Sequence, residues 1–509
     1  MRFSYHSLAI VSVLAGAGCE GPGATTGQAS ETGAATTTTT TSGTGETDET
    51  ATTGETTTTG ETTTSGESSG EAPTTTDTST TTGGELDILE QLAAIDGMWV
   101  GELPTPIAGY RLFTMLYEQP ADHDAEGGPI FNQRMTLLHR DVDAPMVIVT
   151  AGYNINTKSA ALGEPATMVA ANQLTVEHRF FDKSRPSMPD WTDLDIRQAA
   201  TDHHRIAAAL QPLYAGRWLA TGASKGGLAA LYFRRFFPAD VDGTIAYVAP
   251  YSHGEYDARY EEFIATLGDE TCRQALRDVQ REVLLRRPAM LDRMAGQAAT
   301  YELFGADEVL ETAALDLPFA FWQYQTASLC ASVPTPVASD DEVWAFLKKV
   351  SEPNSDADLL RVEPYYWQSA TQLGGIFVDE AAVADLLLFP GFNTARSFIV
   401  PGPGKTPGPH DPAPAQDVAD WLATEGERLL LIYGENDPWT AGAFELGDAA
   451  DSYLFHAPGG NHGALIADLA DADREQAVAA VEAWAGTGAR SDGMLRPAPI
   501  RETLRQFGW

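Results

Sequence analysis

The chain of 509 residues carries 71 acidic and 32 basic side chains, which give it a formal net charge of −39 at pH 7. This acidic balance argues against a nucleic-acid partner, because phosphate backbones are bound by clustered Lys and Arg side chains. Hydrophobic residues make up 43% of the sequence, and beyond the N-terminal segment none of their runs is long enough to cross a membrane as a helix.

The first 19 residues have the pattern of an export signal. Arg2 precedes an apolar run over residues 8–17, and small residues then lead to Cys19. The run is too short for a membrane-spanning helix. The small residues resemble a bacterial lipobox, so we expect acylation of Cys19 and a lipid anchor, although Gly16 stands where lipoboxes more often carry Leu. Ordinary signal cleavage, which would give a secreted protein, is the alternative.

Residues 20–85 consist almost entirely of Thr, Gly, Ser, Ala and Glu. Such a segment cannot bury a core, and its acidic side chains repel one another, so we expect a disordered, extended tether. From residue 86 onward aromatic and branched side chains appear and persist. Residues 86–509 are enough for one large domain with an insertion, or for two domains.

Strand and helix patterns alternate in the first half of this folded part. Strands are predicted at "GYRLFTMLYEQP", "FNQRMTLLHRD", "APMVIVTAGYN" and "NQLTVEHRFF". A helix at "DLDIRQAATDHHRIAAAL", a strand at "RWLATGAS", a helix at "KGGLAALYFRRFFP" and a strand at "VDGTIAYVAPYS" follow. This alternation indicates crossover connections and a mostly parallel sheet. Residues 202–204, Asp-His-His, fall in the first helix, where we expect a solvated polar face.

The alternation stops at residues 256–414, where long helical patterns with interleaved aromatic residues replace it. Examples are "CRQALRDVQREVLLRRPAMLDRM" and "DDEVWAFLKKV". Strand patterns return only at "ERLLLIYGENDPW" and "SYLFHAPGGNH". Because the chain returns to the same sheet, we expect residues 256–414 to form a helical cap over the sheet edge. A separate helical domain is the alternative.

Three polar residues follow predicted strands in an informative order. Ser224 lies in the glycine-rich turn "TGASKGG", between a strand and a helix, while Asp437 and His462 follow the last two strands. A strand–turn–helix of this kind can be a nucleophile elbow, and Ser, Asp, His is the chain order of an α/β-hydrolase triad. We therefore predict an α/β-hydrolase fold whose catalytic domain comprises residues 86–255 and 415–509.

These residue types suit nucleophilic catalysis. The Ser224 hydroxyl needs an imidazole to take its proton, and the imidazole needs a carboxylate to fix its tautomer. We assign these roles to His462 and Asp437. Each residue also has a structural explanation, since Asp437 could cap a turn and His462 could belong to a surface loop. The remaining rivals are Glu435 for the acid and His253, His410 or His456 for the base.

An oxyanion must also be stabilised by backbone N–H groups. One donor would be Lys225, the residue after the nucleophile, and the other would be Gly152 or Tyr153 in the loop after "MVIVTAG". The sequence carries no convincing metal, phosphate or dinucleotide motif, so we expect no metal and no cofactor. Cys272 and Cys330 are the two cysteines that follow Cys19, and export favours a disulfide between them over two buried thiols.

The chain also resembles a known family, the secreted bacterial serine peptidases that include the prolyl tripeptidyl/tetrapeptidyl aminopeptidases. The resemblance is carried by "EHRFFDKSRP", "GASKGGLAALYFRRFFPADVDGTIAYVAP", "LLLIYGENDPW" and "PGGNHGA". It implies peptide substrates, cleavage after proline near a free N-terminus, and the roles of nucleophile, base and acid for Ser224, His462 and Asp437. The "EHRFF…SRP" stretch is also similar to the Pro-X carboxypeptidase and dipeptidyl peptidase group.

The residues themselves support this specificity only in part. A proline pocket needs flat apolar walls, for which we name Trp439 beside the acid and the aromatic residues of the cap. A free ammonium group needs carboxylates, for which we name Glu177. Arg179 could pair with Glu177 or bind a substrate carboxylate in a carboxypeptidase. An esterase or lipase of the same fold and a catalytically silent surface-binding lipoprotein remain alternatives.

Overall fold

A mixed sheet forms the centre of the computed structural model, which describes residues 86–376 and 378–488. The predicted export signal, Cys19 and the predicted tether lie outside these residues. The strands in the described part are β1 (Met98–Leu103), β2 (Arg111–Pro120), β3 (Ile130–His139), β4 (Met146–Thr150), β5 (Asn172–Val176), β6 (Trp218–Ala223), β7 (Gly243–Tyr247), β8 (Leu429–Gly434) and β9 (Tyr453–Ala457).

The strands lie side by side in the order β1-β2-β3-β5-β4-β6-β7-β8-β9. Strands β1, β2, β3 and β5 pair antiparallel, whereas β5, β4, β6, β7, β8 and β9 pair parallel. Every residue of β4, β5, β7 and β8 is buried, as expected where helices cover both faces of a parallel sheet. The mostly parallel sheet predicted from the alternation is confirmed.

Helices cover the sheet and fill the long insertion between β7 and β8. They are α1 (Ile88–Ala93), α2 (Glu164–Val169), α3 (Ile196–Leu210), α4 (Lys225–Phe236), α5 (Arg259–Ile264), α6 (Glu270–Leu285), α7 (Arg287–Ala295), α8 (Ala306–Leu315), α9 (Leu317–Tyr324), α10 (Asp340–Ser351), α11 (Asp356–Gln368), α12 (Ala413–Glu425) and α13 (Asp471–Trp484). Helices α1, α3 and α4 pack on one face of the sheet, and α2 and α13 pack on the other.

Helices α5–α11 form the cap, which has its own apolar core. Its buried side chains include Val279, Leu310, Phe321 and Val343, from α6, α8, α9 and α10. Cys272 in α6 and Cys330 form a disulfide across 58 residues of sequence. The structure therefore combines an α/β-hydrolase sheet with a large inserted helical cap, as the sequence predicts.

Several boundaries differ from the sequence patterns. Strand β1 is not among the predicted strands, because it is a short edge strand with only one buried residue. The pattern "CRQALRDVQREVLLRRPAMLDRM" spans two helices, α6 and α7, since the chain leaves helical geometry at Arg286 and Pro288 lies in the first turn of the next helix. Strand β5 ends at Val176, so the "EHRFF" stretch is a loop.

Between residues 86 and 488, apart from the undescribed 377, no helix is long and apolar enough to cross a bilayer.

Candidate active site

Ser224 sits in a sharp turn between β6 and α4. Its backbone has φ 54° and ψ −125°, a conformation that non-glycine residues adopt only when the surroundings impose it. Gly222 permits the turn, since a Cβ there would lie 2.3 Å from the Gly226 carbonyl oxygen. Within the described residues, the buried Ser224 Oγ has no hydrogen-bond partner. The turn has the form of a nucleophile elbow, and its hydroxyl is not engaged in holding the fold.

Asp437 and His462 form a buried pair at the same sheet edge. His462 Nδ1 lies 2.6 Å from Asp437 Oδ2, and the other carboxylate oxygen accepts the Trp439 N–H at 3.1 Å. Burial raises the pKa of Asp437 above its ordinary value, while the imidazole beside it acts in the opposite direction. Because β6, β8 and β9 run parallel, Ser224, Asp437 and His462 all follow strand ends at one edge.

The cap holds the histidine loop directly. The His462 N–H donates to the Gln323 carbonyl oxygen at 3.0 Å, and the Asn461 side-chain amide donates to the Gln325 carbonyl oxygen at 3.3 Å. The rings of Tyr324 and His462 meet edge to face at 6.2 Å. The C-terminal end of α9 thus fixes the position of the imidazole from above.

Three of the rival residues have other neighbours. The Glu435 carboxylate accepts the Gly459 N–H at 2.7 Å, which closes the loop before the histidine. His456 lies within β9 beside the ring of Tyr433. The ring of His253 lies against Tyr251. Among the candidates, Asp437 and His462 are the carboxylate and imidazole that hydrogen-bond to each other.

The predicted oxyanion donors lie against each other. Lys225 is the first residue of α4, so its N–H belongs to the helix end that has no intrahelical acceptor. The loop after β4 packs onto this point, since a Cβ on Gly152 would lie 2.6 Å from the Gly226 nitrogen and 2.8 Å from the Lys225 Cβ. No residue larger than glycine therefore fits at position 152 without moving the start of α4.

The Lys225 side chain is an unexpected feature of this region. It is buried, and Nζ has no hydrogen-bond partner within the described residues. Nζ lies 5.1 Å from the ring centre of Phe181 and 5.7 Å from that of Tyr153. Burial lowers the pKa of Lys225 well below its ordinary value. Burial also lowers the pKa of the neighbouring His178, and the charge of Lys225 acts in the same direction.

Aromatic side chains of the cap and of the segments that follow β4 and β8 lie around the site. Trp439 is buried between Tyr260, at 5.1 Å, and Phe319, at 5.0 Å between ring centres, and its ring lies 6.2 Å from that of His462. Tyr365 of the cap lies 6.1 Å from Tyr153. Trp439 therefore stands beside the imidazole, where we expected a wall of the proline pocket.

Glu177 does not stand where an ammonium ligand would have to stand. Its side chain is fully buried, and its oxygens accept hydrogen bonds from the Arg134 guanidinium at 2.7 Å, the Ser184 hydroxyl at 2.6 Å and the Ile155 N–H at 3.0 Å. A second guanidinium hydrogen bond comes from Arg134 Nη2. These donors occupy both carboxylate oxygens, so the interpretation of Glu177 as a substrate contact is corrected to an internal one.

Arg179 and Asp202 are corrected in the same way. Arg179 pairs with Asp202 instead of Glu177, through contacts of 2.7 and 2.8 Å, and donates to the carbonyl oxygens of Ala121 and Asp193. Both partners are fully buried, so Arg179 cannot bind a substrate carboxylate. The solvated face expected at residues 202–204 is wrong for Asp202 and His203, which are buried, whereas His204 is partly exposed.

Sequence reasoning overlooked Glu164, at the start of α2. Its buried carboxylate accepts the Ile466 N–H at 3.0 Å, the Ala467 N–H at 2.9 Å and the Tyr247 hydroxyl at 2.9 Å, and burial raises its pKa. It holds the segment that follows His462. No local pattern signals this role, since Tyr247 lies 83 residues further along the chain and Ile466 and Ala467 lie 302 and 303 residues further. The described part of the chain contains no group of three His, Cys, Asp or Glu side chains suited to a metal.

The sequence profile of the family described as PS-10 peptidase S37 matches residues 82–501. A prolyl tri/tetrapeptidyl aminopeptidase from Streptomyces mobaraensis is 43% identical over 416 residues, which cover 80% of this chain and 86% of that protein. Among solved structures, VinJ has a TM-score of 0.34 at 12% identity, covering 76% of this chain and 99% of VinJ. Proline iminopeptidase from Mycobacterium smegmatis has a TM-score of 0.30 at 14% identity, covering 76% of this chain and 99% of that protein.

Proposed function

The chain belongs to the PS-10 peptidase S37 family and is a serine peptidase of the α/β-hydrolase fold, and we propose that it removes tripeptides or tetrapeptides ending in proline from free peptide N-termini. The observation that carries the catalytic part is the buried hydrogen bond of 2.6 Å between His462 and Asp437. The specificity is carried over from the relative in Streptomyces mobaraensis, most of whose length the chain covers.

In the acylation step, Ser224 Oγ attacks the carbonyl carbon of the substrate proline, and His462 Nε2 takes the hydroxyl proton. Asp437 keeps the other imidazole nitrogen protonated and stabilises the imidazolium. The backbone N–H of Lys225, together with that of Gly152 or Tyr153, stabilises the oxyanion. The packing of Gly152 on residues 225 and 226 supports this assignment, because it brings the two loops together.

The imidazolium then gives its proton to the leaving amine of the shortened peptide, and the N-terminal fragment stays as an ester on Ser224. In deacylation, His462 takes a proton from water, the resulting hydroxide attacks the ester carbonyl, and the proton returns to Ser224. Trp439, Phe319 and Tyr260 support a flat apolar pocket for proline beside the imidazole. Arg179 is buried and paired with Asp202, so it does not support the carboxypeptidase alternative.

The test uses the purified full chain. Ala-Ala-Pro-p-nitroanilide with a free amine is compared with its N-succinyl form, and Ser224→Ala serves as the inactive variant. Selective cleavage of the free form, abolished in Ser224→Ala, is the expected result. Equal cleavage of both forms would refute the aminopeptidase specificity, and activity in Ser224→Ala would refute the nucleophile.

We also propose that the protein is exported and anchored by a lipid on Cys19. The support is the sequence of residues 1–19, with a basic residue, a short apolar run and small residues before the cysteine. Metabolic labelling with a palmitate analogue should mark the wild type and not Cys19→Ser. Labelling of both, or of neither, would refute the anchor.

A further inference from the structure

A polar network joins the loop after β5 to the loop after β4. Glu177 is its centre: one oxygen accepts the Ile155 N–H at 3.0 Å, and the other accepts Arg134 Nε at 2.7 Å and the Ser184 hydroxyl at 2.6 Å. The carboxylate is fully buried and the Arg134 side chain is 12% exposed. The network is therefore shielded from solvent, where charge-assisted hydrogen bonds are strongest.

The segment that Glu177 holds contains the second oxyanion donor. Backbone bonds hold the segment at two further points, since the Ala151 N–H donates to the Val176 carbonyl at 3.0 Å and the His178 N–H donates to the Tyr153 carbonyl at 3.1 Å. The backbone of residues 151–155 is thus fixed before, at and after Tyr153. The last of these points is the one made by a charged side chain.

The surroundings of Tyr153 are closely packed. Its ring meets Phe181 edge to face at 5.4 Å and lies 5.7 Å from Lys225 Nζ, while Gly152 packs on the backbone of residues 225 and 226. A shift at Ile155 therefore moves the Tyr153 backbone relative to the start of α4. Misplacement of a catalytic group by about 1 Å is enough to cost about 10²-fold in rate.

We propose that Glu177 is a positioning residue of the oxyanion hole, which acts through Ile155 to hold the loop donor in place for the transition state. This inference rests on the proposed function, because it assumes that Ser224 is acylated and that the loop of residues 151–155 faces the oxyanion. Glu177 makes its hydrogen bonds with Arg134, Ser184 and Ile155, so it would act through the loop. Its removal should weaken transition-state stabilisation and leave ground-state binding intact.

Glu177→Gln isolates the effect because it keeps the shape of the side chain. If the amide oxygen still accepts the Ile155 N–H, its NH₂ group faces Arg134 Nε, which is also a donor. If the amide is reversed, its NH₂ group faces Ile155. Asp182→Asn is the matched control, since Asp182 Oδ2 pairs with the same guanidinium at 2.6 Å but is half exposed.

Four quantities are measured for each variant: kcat and KM for the free-amine substrate, the affinity for a peptide with a C-terminal boronoproline, and the affinity for the product Ala-Ala-Pro. The boronate forms a tetrahedral adduct that reports on the oxyanion hole, whereas the product reports on ground-state binding. For Glu177→Gln we expect kcat and boronate affinity to fall together by about 10- to 100-fold. KM and product affinity should change by less than about threefold, and Asp182→Asn should match the wild type.

An unchanged kcat in Glu177→Gln, or equal losses of boronate and product affinity, would overturn the proposal. If Glu177→Gln does not fold, Ser184→Ala replaces it, because it removes one donor to the carboxylate and keeps the charge. A parallel fall of kcat and boronate affinity would support the proposal there, and wild-type values would overturn it. The proposed function fails separately, through an inactive wild type or an active Ser224→Ala.

Discussion

Replacing Asp437 by Asn should disable the base without disturbing the fold. Asp437 Oδ1 accepts the Trp439 N–H at 3.1 Å, and Oδ2 faces His462 Nδ1 at 2.6 Å. In Asp437→Asn, the amide oxygen must remain on the side of the Trp439 donor, so the NH₂ group points at the imidazole. His462 can then keep a hydrogen bond only in the tautomer that carries its proton on Nε2, and this tautomer cannot accept a proton from Ser224.

The expected loss is about 10⁴-fold in kcat, the size seen when a triad acid becomes an amide, which corresponds to about 5.5 kcal/mol in the activation barrier. The assay is hydrolysis of Ala-Ala-Pro-p-nitroanilide between about pH 6 and 10, with circular dichroism as the check on folding. Glu435→Gln is the control, since its carboxylate contacts the Gly459 N–H. A loss below tenfold in Asp437→Asn, or an equal loss in Glu435→Gln, would refute the tautomer argument.

Two further predictions concern stability. Burial holds the pKa of Lys225 well below its ordinary value of 10.5, so the unfolded chain binds more protons between these values and stability falls as pH falls. Lys225→Met should therefore be more stable than the wild type near pH 7, with the difference shrinking towards pH 10.5 in urea titrations; a difference independent of pH would contradict this. Replacing both Cys272 and Cys330 by Ser opens a link across 58 residues, for which loop entropy predicts a loss of about 4 kcal/mol in the free energy of unfolding. A loss below about 1 kcal/mol in the same titrations would count against the entropic explanation.

Local patterns predicted the parallel part of the sheet because its strands are apolar runs with clear ends. They also brought Ser224, Asp437 and His462 to one edge, since residues that follow parallel strands must meet there. Edge strand β1 escaped detection, because only one of its residues is buried and the run lacks an apolar signal.

Local patterns did not predict which side chains pair with each other. "EHRFF" shows two neighbouring charges, but nothing local reveals that Glu177 binds Arg134 in β3 and Arg179 binds Asp202 in α3. Such choices depend on which strand lies beside β5 and which helix crosses its end. Asp202 looked solvated for the same reason, because its partners come from distant parts of the chain. Patterns of period two or 3.6 carry no information of this kind.

The hydrogen bond from the His462 N–H to the Gln323 carbonyl links the catalytic base directly to α9 of the cap. Lifting α9 far enough to admit a folded polypeptide would break this bond and remove one of the contacts that position the loop carrying the imidazole. We therefore expect proton transfer to be less efficient whenever the cap opens this far. A folded protein that entered the site would then meet a poorly positioned base, whereas the extended end of a peptide could be processed while α9 stays in place.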